Sequence, residues 1–531
     1  MDRREFLIGQ FGAAVLASLP ADVFTQRSSP NASAAWDAGR LRHLLPTVSD
    51  TRILIKASFA QPLSAAPTLR IAAAGVRGRM SDTAGECWQF DAGSLTPGRR
   101  YSLALVAANG RPLCQPWELS TFPRRDARSE RFRVLFFTCA GGPENTGPDG
   151  WLPTAIRSRL LRRALSFQPD AAVANGDHVY WDLHAPRVPK NQRDTTRLDS
   201  FNRSALVFGH KNETVLKLAA APQIVPVYGT DFRSTPTFFL QDDHDYFDND
   251  EGTDEIVTFP APWFQLQLAR ATQRMYYPEF LPDATRPAGL PWSSAGDRGG
   301  DLSESFGTIR YGRVAEILLY DVRRTVTLDG PSAVFIDPSV ELWLRERTSA
   351  SDATHLVHAP SNPPGWTAGK WGEWYPDVLA DDGKLTTASP KPYWQSGWLK
   401  QHDRLIESIG AMKGRRPLIV SGDLHAIGIG TIRRSGQINL ESNPIAAVLS
   451  GPIGTRPGGW PSAVRGVAPT PPAHLDIREE VKPIEQHGFT LADFLPDRVL
   501  LRLFKWDVKT QSPEAIDSLE PFHTTELPRS T

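Results

Sequence analysis

The chain has 531 residues, more than one hydrophobic core usually serves, so two or more domains are expected. Apolar residues make up 40% and charged residues 22%, which is typical of folded proteins and excludes a disordered chain. Lys plus Arg equals Asp plus Glu at 59 each, which excludes a global positive field that would favour nucleic acid or anionic membranes. Any anion-binding site must therefore be built locally.

The N-terminal residues have the layout of an export signal. Arg3 and Arg4 precede a modest apolar run, Ile8–Leu19, which is too short to span a bilayer as a mature helix. The paired arginines indicate the twin-arginine export machinery, which carries folded proteins. We predict a signal peptide over residues 1–34, with an earlier cleavage point or an ordinary N-terminal helix as alternatives. The mature protein is expected to be periplasmic or secreted and to have no stable membrane span.

Residues from about Thr51 to Pro123 are predicted to form a small all-β module. Five short segments alternate apolar and polar residues, as half-buried antiparallel strands do: TRILIKASF, LRIAAAGV, CWQFDAG, RRYSLALVAANG and WELSTF. The segment from Leu95 to Tyr101 resembles the turn and strand of a fibronectin type III domain. We assign residues 35–125 to this domain and expect it to act as a lid or spacer.

Three cysteines are present, an odd number for an exported protein. Cys87 and Cys114 both lie in the β-rich region, and whether they form a disulfide after export stays open at this point. Cys139 would then be left over, so it needs a role of its own.

After a basic linker, buried strands alternate with helices, which predicts an α/β domain over residues 130–531. The strands are FRVLFFTCA, AAVANGD, TFFLQDDHDY, VAEILLYDVR and RPLIVSGDLHA, and β-rich material closes the chain. Arg157–Phe167 and Leu399–Met412 are predicted to be helices. The Pro- and Gly-rich segments Pro260–Gly307 and Ser361–Tyr393 are predicted to be long loops that narrow the mouth of a site.

Four of these strands end in side chains that bind metal ions. Because the carboxyl ends of neighbouring strands meet at one crevice of an α/β sheet, we expect these side chains to converge. A thiolate, a phenol, imidazoles and several carboxylates in one place need cations to balance them, which predicts two metals. Taken alone, each of these residues is also typical of a turn or of a helix cap. In chain order the residues are Cys139, Asp177, Tyr180, Asp242–Asp245, Asp423 and His425.

The order strand-Cys, Gly-Asp-x-x-Tyr, Asp-Asp-His-Asp and Ser-Gly-Asp-x-His resembles alkaline phosphatase D, the PhoD-like branch of the calcineurin-like metallophosphoesterases. The segment Asp321-Val322-Arg323 and the string HGFTLADF near Phe489 extend the resemblance to the C-terminus. It implies a metallophosphoesterase-type β-sandwich flanked by helices, preceded by the small fibronectin III-like domain. The chain departs from the family pattern at Ala140, Gln241 and Asp245.

The resemblance also implies the ligands of a binuclear Fe(III) and Ca(II) centre. Asp177 would bridge the two metals, and Asp243 and Asp423 would complete the Ca(II) side. The residues implied for the Fe(III) side are Cys139, Asp177, Tyr180 and His425.

Further roles follow from the same resemblance. His244 would stabilise developing charge or protonate the leaving group, and it is paired with Asp177 as a catalytic residue. Asn249 is a candidate for the Ca(II) side or for substrate binding. Arg323, Arg233 and Arg157 are candidates for binding the phosphate, and the sequence does not rank them. His355 or His358, in a predicted loop, is a less favoured candidate for the Ca(II) side.

The function implied is an exported phosphoesterase that hydrolyses phosphate monoesters, diesters or both by a metal-bound hydroxide at the two-metal centre. Its partner would be a small-molecule phosphate ester, and no nucleic acid is expected as a structural partner. One alternative keeps the metals and acts on a non-phosphate ester. Another is an exported calcium-dependent binding or adhesion protein with an inactive metallophosphoesterase-like domain, in which Cys139 and Tyr180 would have no role.

Overall fold

The N-terminal strands pair into two four-stranded sheets, both antiparallel, in a computed structural model of the chain. One sheet has the order β1-β2-β6-β5 and the other β4-β3-β7-β8. The strands are β1 (Leu41–Val48), β2 (Ile53–Phe59), β3 (Thr68–Ile71), β4 (Ala74–Arg77), β5 (Arg79–Met80), β6 (Cys87–Ala92), β7 (Arg100–Val106) and β8 (Trp117–Ser120).

The structure describes residues 36–142, 151–181, 201–209, 211–246, 263–283, 285, 302–456 and 459–530. The predicted signal peptide and Asn249 lie outside these ranges. Residues Ala38–Thr531 form one compact unit. The domain boundaries at 35–125 and 130–531 stay predictions.

Strand β1 is the main element that the sequence pattern did not indicate in this region. Its sequence LRHLLPTV is buried at seven of eight positions, so it lacks the alternation of a half-exposed strand. Pro46 within it also lowers the strand signal. The strand is buried because it packs against helix α2 (Lys211–Tyr228) as well as against its own sheet.

Cys87 and Cys114 are both buried thiols, and no disulfide joins them. Burial raises the pKa of Cys87, and the neighbouring Asp82 carboxyl raises it further. This thiol is therefore held in its neutral form, as expected of a small apolar core residue.

The rest of the chain builds two large mixed sheets. The first has six strands in the order β11-β10-β9-β22-β23-β24, and the second has the order β12-β13-β14-β17-β20-β18-β19, with β21 paired to β18. Each sheet has three neighbouring strands that run parallel. In the first sheet they are β9 (Phe132–Phe137), β10 (Ala171–Asn175) and β11 (Thr237–Leu240). In the second sheet they are β13 (Ala315–Tyr320), β14 (His355–Pro360) and β17 (Leu418–Ser421). Every residue of these six strands except Arg133 is buried, as in strands that are covered on both faces.

The remaining strands complete the sheets and a small β15-β16 hairpin. They are β12 (Phe306–Tyr311), β15 (Val378–Leu379), β16 (Leu385–Thr386), β18 (Ile427–Ser435), β19 (Ile438–Asn439), β20 (Ile445–Ser450), β21 (Leu475–Ile484), β22 (His487–Phe494), β23 (Arg498–Trp506) and β24 (His523–Pro528). The other helices are α1 (Thr154–Ser166), α3 (Trp263–Tyr276), α4 (Pro338–Ala350), α5 (Ser396–Gly410) and α6 (Ser462–Arg465). The predicted helices correspond to α1 and α5.

Two sequence-based expectations about loops are wrong. The segment Pro260–Gly307 contains helix α3, whose residues Phe264, Leu268 and Met275 recur with helical spacing and are buried. The flanking Pro and Gly residues concealed this period. His355 and His358 lie on strand β14 and not in a loop. The His355 ring contacts Leu495 O, and the His358 ring contacts the hydroxyls of Tyr320 and Thr348.

Within the described residues, no helix has both the length and the apolar composition that crossing a bilayer requires.

We predict that His43, on β1, makes folding sensitive to acid. The ring is buried, neither nitrogen has a hydrogen-bond partner in the described structure, and burial lowers its pKa from 6.5 to about 3. The unfolded chain therefore binds a proton that the folded chain excludes, and stability falls as the pH drops from 6.5 towards 3. At pH 5 this single group costs about 2 kcal/mol of stability.

Urea unfolding of wild type and His43→Leu at pH 8 and pH 5 tests this. The variant should lose less stability between the two pH values than wild type, by about 2 kcal/mol. Equal losses in the two proteins would show that His43 is not buried as a neutral ring.

Candidate metal centre

The four residues predicted to bind Fe(III) come together in the interior. Cys139 follows β9, Asp177 and Tyr180 follow β10, and His425 follows β17, so both large sheets contribute. Cys139 Sγ lies 3.3 Å from Asp177 Oδ2, and the Tyr180 hydroxyl lies 3.2 Å from the same oxygen. The Tyr180 hydroxyl is also 3.2 Å from His425 Nε2. Four different donor atoms thus face one point.

The backbone at these strand ends is strained. Cys139, Asp177, Asp423 and His425 have φ values of 51°, 60°, 66° and 50°, in the left-handed region that residues other than glycine seldom adopt. Such conformations cost of order 1–3 kcal/mol each and concentrate at functional sites, where the surrounding structure holds them. The turn after each strand therefore positions a candidate ligand side chain at the expense of backbone stability.

Asp243 and Asp423, predicted for the Ca(II) side, lie beside this first group. Asp243 begins a short 3-10 turn after β11, and Asp423 follows β17. Two nitrogen groups bind Asp423: the Lys370 ammonium is 2.6 Å from Oδ1, and Asn362 Nδ2 donates to Oδ2 at 2.8 Å. Lys370 Nζ is also 3.5 Å from Asp243 Oδ2.

The structure adds Asn362 and Lys370, which the sequence reading did not single out. Asn362 follows β14 closely. It was missed because β14 itself was not predicted: His355 and His358 were placed in a loop, so no strand end was expected before Asn362. Lys370 lies farther along the chain and has no local signal, since only the folded chain brings it to the carboxylates.

Asp242 and Arg323 form a buried ion pair next to these groups. Arg323 follows β13, and its Nε donates to Asp242 Oδ1 at 2.6 Å. Another guanidinium nitrogen of Arg323 lies 3.7 Å from Asp423 Oδ2. The substrate-binding role of Arg323 stays a prediction, and the structure places its charge against two carboxylates of the centre.

Asp245 fixes the turn that carries Asp177. Its carboxylate accepts hydrogen bonds from the backbone N–H groups of Asp177, His178 and Val179 at 2.8–2.9 Å, and from that of Asp242 at 3.1 Å. One side chain after β11 therefore sets the backbone after β10. Asp245 is one of the departures from the family pattern, and it holds a ligand in place without contacting the ligand oxygens.

His244 lies over the first group of ligands. Its ring centroid is 4.1 Å from that of Tyr180, and its ligand atom is within 4.8 Å of those of Asp177 and Asp243. Arg157, another phosphate candidate, donates to four backbone carbonyls near the loop after Cys139, including Gly141 O at 2.8 Å. Arg233, on the turn before β11, donates to Thr230 O.

Burial shapes the protonation of the ligands. It raises the pKa of the Cys139 thiol and of the Tyr180 phenol, and the Asp177 charge raises both further. Burial alone would also raise the pKa of Asp177, but His244 and His425 outweigh it and lower that pKa. Without a bound cation, Cys139 and Tyr180 therefore keep their protons and Asp177 supplies the negative charge.

Open acceptor atoms show that the residues fit a cation. Asp177 Oδ1, Asp243 Oδ1, Asn362 Oδ1 and His425 Nδ1 are buried and have no hydrogen-bond partner among the described residues. Buried carboxylate oxygens without partners are rare in proteins unless an ion or water satisfies them. The Cys139, Tyr180 and His425 donors suit a transition metal, and the oxygen donors of Asp243 and Asn362 suit a hard divalent cation.

The fold was compared with solved structures. The structure of PhoD matches with a TM-score of 0.62 and 13% identity, over 94% of this chain and 92% of that chain. A purple acid phosphatase from yellow lupin (Lupinus luteus) seeds matches with a TM-score of 0.53 and 11% identity, over 92% of this chain and 74% of that chain. The chain has the metallophosphoesterase fold. The resemblance to PhoD that the motifs predict is thus confirmed at the level of the fold.

No protein-family model and no curated protein matches the sequence.

We predict that Asp245→Asn weakens metal binding without removing a ligand. The amide places an N–H group against backbone N–H donors, so the turn that holds Asp177 loses hydrogen bonds of about 1.5–3 kcal/mol each. The metal content of the purified variant should fall well below that of wild type. Asp82→Asn is the matched control, because Asp82 caps a backbone turn at Gly85 and Glu86 outside the centre. Equal metal content in Asp245→Asn and Asp82→Asn would contradict this role.

Proposed function

We propose that the chain is an exported, metal-dependent phosphoesterase that hydrolyses phosphate monoesters, diesters or both. The observation that carries the proposal is the convergence of Cys139, Asp177, Tyr180 and His425, on strained turns from both sheets of a metallophosphoesterase fold. Export by the twin-arginine route rests on the sequence of residues 1–34, and Fe(III) and Ca(II) as the metals rest on the family resemblance.

A bound metal would supply the positive charge that lowers the pKa of a water molecule and neutralises the oxygens of a phosphate ester. Asp177 stands between the two ligand groups, with Oδ2 facing Cys139 and Tyr180 and Oδ1 open. This arrangement lets one carboxylate serve both groups. It supports Asp177 as the residue on which the whole centre depends.

His244 is the candidate for moving a proton. It stacks on Tyr180 close to Asp177 and Asp243, so an ester held at the centre would place its leaving oxygen near the imidazole. Protonation of the leaving oxygen in this way is general acid catalysis.

Two tryptophans cover the first group of ligands. The Trp151 ring lies edge-on to Tyr180 at 5.2 Å between centroids, and the Trp460 ring lies 5.3 Å from that of His425. Both are half-buried and limit the access of water, which strengthens the electrostatic interactions inside.

The alternatives fit these contacts less well. A calcium-dependent adhesion protein would give no role to the buried thiol of Cys139, the phenol of Tyr180 and the imidazole of His425. A non-phosphate esterase would keep the metals and would not be inhibited competitively by inorganic phosphate, so that inhibition separates it from a phosphoesterase.

Hydrolysis of p-nitrophenyl phosphate and of its bis-ester by wild type and Asp177→Asn tests the proposal. We expect wild type to hydrolyse at least one ester, and Asp177→Asn to lose about a hundredfold or more of kcat/KM. Asp493→Asn, which alters a buried aspartate paired with Arg133 and Arg502 on other strands, should retain activity. A wild-type protein that holds its metals and hydrolyses neither ester would contradict a general phosphoesterase.

A second test concerns the iron assignment. If Cys139 and Tyr180 bind Fe(III) as anions, the purified protein should show a visible charge-transfer band that shifts or disappears in Cys139→Ser. Serine keeps a hydrogen-bonding side chain of similar size, so the fold should persist. An unchanged spectrum and unchanged iron content in Cys139→Ser would exclude Cys139 from the ligand set.

A further inference from the structure

Lys370 is a buried cation in the ligand group that the resemblance assigns to Ca(II). Its side chain is 1% exposed, and its Nζ lies 2.6 Å from Asp423 Oδ1 and 3.5 Å from Asp243 Oδ2. A lysine is seldom buried unless its charge is paired. Here the paired carboxylates are the two that would otherwise hold the second metal ion.

The oxygens of Asp423 are already engaged. Lys370 donates to Oδ1, and Asn362 donates to Oδ2 at 2.8 Å, with a guanidinium nitrogen of Arg323 3.7 Å from Oδ2. A metal ion can bind Asp423 only by displacing one of these donors or by sharing an oxygen with it. Because the ammonium and the metal are both positive, sharing is opposed by electrostatic repulsion.

Lys370 is also held firmly in place. The Trp460 ring covers its ammonium group, with Nζ 5.1 Å from the ring centroid. Its loop is fixed on both sides: Ala368 N donates to the buried Glu373 carboxylate at 2.7 Å, and Arg465 donates to Gly369 O at 2.9 Å. These contacts fix the backbone next to Lys370, and the Trp460 ring limits the space into which the ammonium could withdraw.

The first ligand group, which consists of Cys139, Asp177, Tyr180 and His425, has different surroundings. The contacts of Cys139 Sγ, Asp177 Oδ2 and the Tyr180 hydroxyl are with one another, with Thr138, with the Asp423 carbonyl and with His425. Among the described residues, no ion pair joins these ligand atoms to a lysine or arginine, and the Lys370 charge acts on Asp177 only from a longer distance. A metal at this group therefore meets weaker competition from a fixed cation than a metal bound by Asp243 and Asp423.

We propose that Lys370 competes with the second metal ion for Asp243 and Asp423, so that the chain holds the first metal tightly and the second weakly. This inference concerns the same centre as the proposed function and rests on it only for the identity of the site. The two neighbouring positions are expected to differ in their affinity for a metal ion because one fixed positive charge lies beside the second.

Metal binding measured without any assay of activity tests the inference. After dialysis against a chelator, wild type should retain about one metal ion per chain. Calorimetric titration of that protein with Ca²⁺ should give weak binding, and Lys370→Met should bind Ca²⁺ about tenfold more tightly or better, because one positive charge next to two ligands is gone. Lys370→Arg, which keeps the charge, should remain as weak as wild type.

Lys217→Met is the matched control, because Lys217 is also paired with two carboxylates, Asp82 at 2.6 Å and Glu86 at 2.9 Å, outside the centre. Its Ca²⁺ affinity should equal that of wild type. Should Lys370→Met fail to fold by circular dichroism, Lys370→Gln replaces it in the same titration.

Two results would overturn the inference: wild type that retains two metal ions per chain after dialysis, or equal Ca²⁺ affinity in wild type and the uncharged Lys370 variant. A chain that binds metal as expected but hydrolyses neither p-nitrophenyl ester would remove the proposed function and leave the role of Lys370 intact.

Discussion

Four carboxyl groups meet in the interior of this protein, at the ends of strands from both large sheets, and their mutual repulsion has to be neutralised there. Asp177, Asp242 and Asp243 are fully buried and Asp423 is 2% exposed. Water cannot screen charges at such positions, so protons, fixed cations or metal ions must balance them. Among the described side chains, Arg323 and Lys370 contribute two positive charges, which are fewer than the carboxylates.

This constraint explains the local structure around the centre. The strained turns at Cys139, Asp177, Asp423 and His425 cost stability, and they are tolerable because the strands before them, β9, β10 and β17, are buried almost throughout. A rigid sheet end can hold donor atoms close together even though they repel one another. A surface loop with the same residues would open and place them in water.

The part of this arrangement that could be predicted from sequence is the part governed by continuous apolar runs. Such runs indicate buried strands, which predicted the fold class, and the four strand-end motifs were expected to meet at one sheet edge. They do meet, but they come from the strand ends of two sheets. Strand β1 and helix α3 escaped the same reasoning, because Pro46 and full burial concealed the strand signal and flanking Pro and Gly residues concealed the helical period. Strand β14 was also missed, because its two histidines interrupt the apolar run, and Asn362, which follows it, was missed with it.

Lys370 shows why the remainder could not be predicted. Its position depends on how a segment between β14 and α5 returns to the centre, and that path is set by tertiary contacts of Glu373 and Arg465 rather than by any local pattern. A fold shared at 13% identity does not fix such a residue either, since a sheet can present the same strand ends to different surroundings. Lys370 changes the charge beside Asp243 and Asp423 by a full unit. The affinity of this centre for its second cation is therefore a property of this chain and not of the fold.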